Sequence, residues 1–188
     1  MLETHSPQPL TPDLSTLIRL FYDSAPLLGH FERVERATMP AAYAALLAHD
    51  EHMTVTVEHY HDSAVDVQVL DRRVTPSHYA RKILLARQSD GRVVQYGIMR
   101  VNLDYLEPAV RRQIEAEDTP LGRVLIRNKV LRRVRLASLW RVTAGAELAR
   151  LFDISEGDVV YGRTAMIECN DEPAVELLEI VTAVKSDE

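Results

Sequence analysis

Hydrophobic and polar positions follow two different periods along this chain, and each change of period predicts a new element. Leu14, Leu17, Ile18 and Phe21 recur at helical spacing behind Asp13, whose carboxylate can cap a helix running to about Asp23. Pro40 to His49 reads as a second, alanine-rich helix. From His52 to His61, Met53, Val55 and Val57 alternate with Thr54, Thr56 and Glu58, the pattern of a half-buried strand. Ala64 to Leu70 alternates in the same way, and the short link His61-Asp62-Ser63 predicts a hairpin between the two. Tyr79 to Gln88 reads as a strand, Asp90-Gly91 as a hairpin turn and Val93 to Val101 as the returning strand. Leu103, Leu106, Val110 and Ile114 place a helix over Leu103 to Glu117, with Pro108 in its first turns or ending a short preliminary turn. Val130 to Val142 is a further strand and Ala146 to Phe152 a short helix. A last hairpin joins Val159 to Cys169 with Ala174 to Val184 through the turn Asn170-Asp171-Glu172-Pro173. About six strands with hairpin-length links predict an α+β fold: one domain over residues 13–188, an antiparallel sheet with helices packed on it.

Composition narrows the setting. Of 188 residues 46% are hydrophobic, enough for one domain with a true core. Cys169 is the only cysteine, so neither a disulfide framework nor a cysteine-based zinc site can form within one chain. Residues 1–12 carry three prolines and no apolar signal segment, and read as a flexible lead-in. No apolar run approaches the roughly 18 residues a membrane helix needs. These features predict a cytoplasmic protein with no membrane partner.

The net charge of −6 argues against a general nucleic-acid binder. Charge is uneven, however. Arg123, Arg127, Lys129, Arg132, Arg133, Arg135 and Arg141 follow one another with no acid between them. Such a run is either a solvated basic edge or a local attraction for an anion. Just before it lies Asp118-Thr119-Pro120-Leu121-Gly122-Arg123. Thr119 can cap a helix, Pro120 suits the first helical position, and Leu121 and Gly122 then present free N–H groups that attract anions.

Other chemistry finds little support. His49 and His52, or His59 and His61, lack the spacing of a metal signature, so no metal is expected. No Gly-x-Ser-x-Gly elbow and no glycine-rich phosphate loop occur. Arg81 stands out because it interrupts an apolar strand on the face of Tyr79, Ile83 and Leu85. An inward arginine needs an acidic partner, here Glu176 or Glu179, or a bound anion. Glu176 and Glu179 are three apart in one strand and so face opposite sides of the sheet.

Four segments in this order resemble the chorismate lyase (chorismate pyruvate-lyase) family, over about Leu46 to Val181. They are Leu46-Leu47 with Met53-Thr54 at the start of a strand, Tyr79-Ala80-Arg81-Lys82-Ile83-Leu84-Leu85, Thr119-Pro120-Leu121-Gly122-Arg123, and Tyr161-Gly162-Arg163 with the strand after Pro173. The resemblance implies a chorismate lyase-like fold on a six-stranded antiparallel sheet. It implies conversion of the anion chorismate to 4-hydroxybenzoate and pyruvate, without metal or organic cofactor. Arg81 would bind a substrate carboxylate. Met53, Leu121, Gly122 and Arg163 would complete the binding site, and a glutamate of the last strand would assist proton movement. The family glutamate falls five residues after the turn proline in enterobacterial members, where this chain has Leu178. Either a bulge brings Glu179 into its place or Glu176 serves.

The same fold occurs as the effector-binding domain of UTRA-type bacterial regulators, so a non-catalytic small-molecule sensor is the alternative expectation. The first 40 or so residues are too short for a winged-helix domain, which weighs against it. A lyase-fold enzyme on a related aromatic or enolpyruvyl acid is a third reading. No exposed apolar helix face marks an oligomer interface.

Overall fold

A computed structural model describes residues 11–182. Most of the lead-in expected over residues 1–12 therefore lies outside the described residues. Seven strands form one sheet: β1 (Gly29–Val34), β2 (Val65–Val74), β3 (His78–Arg87), β4 (Val93–Asn102), β5 (Arg132–Ala144), β6 (Val159–Cys169) and β7 (Glu172–Val181). Their order is β1-β5-β6-β7-β4-β3-β2, and every neighbouring pair is antiparallel. Six α-helices pack on it: α1 (Leu14–Arg19), α2 (Ala41–Leu47), α3 (Met53–His61), α4 (Pro108–Glu115), α5 (Leu121–Arg127) and α6 (Ala146–Phe152). The architecture is the expected α+β layer fold, with seven strands in place of about six.

One expectation fails. The segment read as a strand from His52 is helix α3, and no hairpin joins it to β2. Its buried residues Met53, Thr54, Val57 and His61 fall on one helical face, leaving Val55 exposed. A run alternating Val and Thr prefers a strand locally, but packing against the sheet overrides that preference. Asp62 ends the helix in a left-handed conformation (φ 48°), and the Glu58 carboxylate accepts from the Val65 N–H, tying α3 to β2. The pattern gave no reading for β1, a short edge strand without clean alternation that is held by pairing with β5.

Other elements follow from local chemistry. The Asp13 side chain caps α1 by accepting from the Thr16 N–H at 2.7 Å. Gly91 takes φ 72° in the β3–β4 turn, where other residues would be strained. The β6–β7 turn is tighter than expected: Asn170 and Asp171 both take positive φ, and Pro173 lies inside β7. There Ile167 pairs with Val175 but Glu168 with Pro173, so Ala174 is an unopposed extra residue.

Both faces of the sheet are covered. Leu17 and Ile18 of α1 and Leu148, Ala149 and Phe152 of α6 pack with Leu84, Tyr96, Ile98, Leu178 and Ile180 on one face. On the other, Val110 and Ile114 of α4 and Val124 and Leu125 of α5 pack over Met99, Ala165 and Leu177. Leu46, Leu47, Met53 and Val57 of α2 and α3 cover Leu85, Leu139 and Val181 beside them. Where the two helix pairs meet over the sheet, they leave a pocket.

Candidate functional site

The pocket is set by register. Ile83, Gly97, Glu179 and Arg163 are successive cross-strand partners on β3, β4, β7 and β6, so they lie in one row. Arg81, Met99 and Leu177 form the next row on the same face. Gly97 has no side chain to fill the gap between Ile83 and Glu179. His52, Met53 and Thr54 at the start of α3, and Pro120, Leu121 and Gly122 at the start of α5, form the walls. The pocket holds about 520 Å³ of atom-free space, including its opening to solvent. Most of its lining is aliphatic, which is typical of small-molecule sites.

Arg81 and Arg163 head the largest fully buried side chains of the described residues. Their circumstances differ. Arg163 donates from Nε to Glu179 Oε2 at 2.7 Å, from Nη1 to the His49 carbonyl at 2.8 Å and from Nη2 to the Glu51 carbonyl at 2.9 Å. Its charge is matched, and it fastens the segment before α3 to the sheet. Arg81 makes no ion pair among the described residues. Its Nη1 and Nη2 donate to the carbonyls of Ile114 and Thr119 at 3.4 and 3.3 Å, and its Nε has no partner. Burial is the strongest influence on this guanidinium and pulls its pKa below the ordinary value. Neither Glu176 nor Glu179 is its partner.

The extra residue Ala174 shifts the strand so that Glu179 meets Arg163 on the pocket face. Glu176 lies on the opposite face, paired with Arg100. Thr119 does not cap α5: its hydroxyl donates to Asp118 at 2.9 Å, and Pro120 occupies the cap position itself. Leu121 and Gly122 still line the pocket, but α5 has only seven residues and a short run of aligned dipoles. The nine-residue α3 also begins without a side-chain cap at its Met53 end. Much of the basic run is neutralised elsewhere: Arg123 pairs with Glu58, Arg133 and Arg135 with Glu168, and Arg141 with Glu32.

Sequence reasoning did not assign His52 to the site. Burial first, then Arg132 and Arg163, push its pKa down to about 4. It is therefore neutral in the folded protein at pH 7. An unfolded chain takes up the proton near the ordinary value of 6.5, so stability falls as pH drops from about 6.5 toward 4. His52→Gln is expected to flatten thermal stability against pH over that window relative to the parent. An unchanged slope would refute the shift.

Segment 114–119 is held over Arg81. The Tyr79 hydroxyl donates to Glu117 Oε1 at 2.6 Å, and Arg72 pairs with the same oxygen at 3.1 Å. The Tyr79 bond is the main cause holding the Glu117 carboxyl below its usual range.

No protein-family model matches this sequence, and no curated protein matches it. Solved structures do. One is the ligand-binding domain of a chain described as a GntR-family transcriptional regulator from Bordetella bronchiseptica. It is 12% identical, with a TM-score of 0.51 over 66% of this chain and 91% of that one. PhnF from Mycobacterium smegmatis is 10% identical, with a TM-score of 0.49 over 70% of this chain and 63% of that one. The C-terminal domain of the histidine utilization repressor from Pseudomonas syringae pv. tomato is 12% identical, with a TM-score of 0.45 over 66% and 95%. The chain has the chorismate lyase-like α+β fold.

The expectation of a chorismate pyruvate-lyase enzyme is corrected by the fold match: the structure that shares it is the ligand-binding domain of a chain described as a transcriptional regulator. Of the two candidate glutamates, Glu179 lines the pocket in an ion pair with Arg163, and Glu176 lies on the opposite face of the sheet. Among the described residues no helix is long and apolar enough to cross a membrane.

Proposed function

We propose that this chain is a non-catalytic binding domain for a small organic monoanion, of the sensor kind. The observation that carries this reading is Arg81: fully buried, lining the pocket, with an unpaired Nε and no carboxylate partner among the described residues. A buried charge without a partner is costly, and a ligand anion supplies the missing partner. The charge class follows from the lining. Arg163 is cancelled by Glu179 and His52 is neutral, so Arg81, which feels Glu117 and Asp118 only at a distance, is the lining cation without a directly bonded carboxylate among the described residues. Met53, Leu121 and Gly122 would contact the ligand from the walls. The aliphatic floor and walls would take its apolar body, a ring or a short hydrocarbon.

The match to a regulator's ligand-binding domain supports the same reading. Its test is a thermal-shift and calorimetric titration with benzoate and 4-hydroxybenzoate, beside the neutral benzamide and benzyl alcohol. The carboxylates are expected to stabilise the protein saturably, by about 2.7 kcal/mol at a hundred times Kd, and to be recovered unchanged. An equal response to the neutral analogues, or none to either carboxylate, would overturn the reading.

A further inference from the structure

His52 lies at the seam between α3 and α5, and its two nitrogens have different surroundings. Arg132 Nε donates to His52 Nε2 at 2.8 Å. An arginine Nε always carries its hydrogen, so Nε2 must be the acceptor, and the proton of a neutral imidazole must then sit on Nδ1. The Nδ1 edge faces Gly122: a Cβ placed on Gly122 would come within 3.4 Å of Nδ1 and 3.3 Å of Thr54 Oγ1. Gly122, His52 and Thr54 all line the pocket. Gly122 therefore packs closely on both polar groups, and any side chain at position 122 would crowd them.

His49 shows the contrast. Its Nε2 lies 2.7 Å from the Leu46 carbonyl, an acceptor, and its Nδ1 accepts from the Glu51 N–H at 3.1 Å. Both of its nitrogens are engaged in holding the chain. His52 has one engaged nitrogen and one facing the pocket. Its burial beside two arginines disfavours the imidazolium.

We propose that His52 is a ligand-contacting residue, held by Arg132 as the Nδ1–H tautomer so that it offers the pocket a neutral donor beside Gly122 and Thr54. It adds specificity without adding charge, which keeps the pocket selective for a monoanion with a second acceptor atom. Arg132 is the positioning residue: it acts through His52 and does not itself line the pocket. The inference rests on the monoanion reading only for the ligand class. The tautomer stands or falls by itself.

The first experiment is nitrogen-15 NMR of the histidine rings in the full chain at pH 7. His52, assigned by comparison with His52→Gln, is expected to show a protonated Nδ1 and an unprotonated Nε2. Arg132→Met is expected to return the ring toward the usual Nε2–H form, and Arg132→Lys to restore the Nδ1–H form in part. An Nε2–H ring in the parent protein would overturn the proposal.

The second experiment titrates benzoate and 4-hydroxybenzoate. On saturation with 4-hydroxybenzoate, whose hydroxyl is a second acceptor that benzoate lacks, the His52 Nδ1 signal is expected to move, and His52→Phe to weaken its binding about tenfold or more, with a smaller effect on benzoate. Arg81-dependent binding of 4-hydroxybenzoate that leaves Nδ1 unmoved would also overturn it. If neither carboxylate binds the parent, the monoanion reading fails, the contact with these probes is refuted, and the ring signal still decides the tautomer.

Discussion

Arg81→Met is expected to melt at a higher temperature than the parent while losing its response to carboxylates. The two effects have one cause. In the free protein the guanidinium is buried with two long bonds to carbonyls and an unpaired Nε. Replacing an incompletely paired buried charge with an apolar chain of similar length is often neutral or stabilising, by about 1–3 kcal/mol. At this chain length that corresponds to a rise of roughly 2–12 °C. Binding changes in the opposite sense. Removing one partner of a buried charge pair costs about 2–5 kcal/mol, or at least a thirtyfold loss of affinity. Differential scanning calorimetry with and without benzoate measures both. A lower melting temperature with binding retained would make Arg81 a strut for segment 114–119 and remove the main support for the proposed site.

Glu179→Ala is expected to be among the most destabilising single substitutions in the molecule, at about 3–5 kcal/mol, because it strands Arg163 in a dry environment. Arg163 also donates to the carbonyls of His49 and Glu51. The loss should therefore appear at the segment before α3 as faster amide exchange. The double variant Glu179→Ala with Arg163→Met is expected to recover much of the stability, since no lone charge remains. Urea denaturation of the two singles and the double closes the cycle. Additive losses would show that the two side chains act independently. Acetate at high concentration should partly rescue Glu179→Ala alone, by placing a carboxylate against Arg163.

How much of the site could be read in the sequence varies with the residue. Arg81 was legible because a charged residue inside an apolar strand calls for a partner wherever that strand lies. Glu179 and Glu176 were legible as a pair on opposite faces, since a strand alternates. Which of them faces the pocket was left between a bulge that carries Glu179 there and Glu176 itself; the structure has the extra residue, Ala174, and Glu179 lines the pocket. His52 was visible only as a histidine without a metal pattern. Its role depends on Arg132, eighty positions away, whose Nε fixes where the imidazole proton sits.

Sequence alone determined the α+β class, the helices α1, α2, α4 and α6, the hairpins at Gly91 and Asn170, and the candidate Arg81. In each case the information is local: an apolar period, a capping side chain, a turn residue suited to positive φ, or a charge out of place. Tertiary structure alone decided that Met53 to His61 is a helix, that Gly29 to Val34 completes the sheet, and that Arg163 is matched by Glu179 while Arg81 is not. Those outcomes are set by which surfaces meet. Burial against the sheet outweighs the strand preference of Val and Thr, pairing with β5 makes an edge strand of a weak pattern, and cross-strand register determines which charge has a partner.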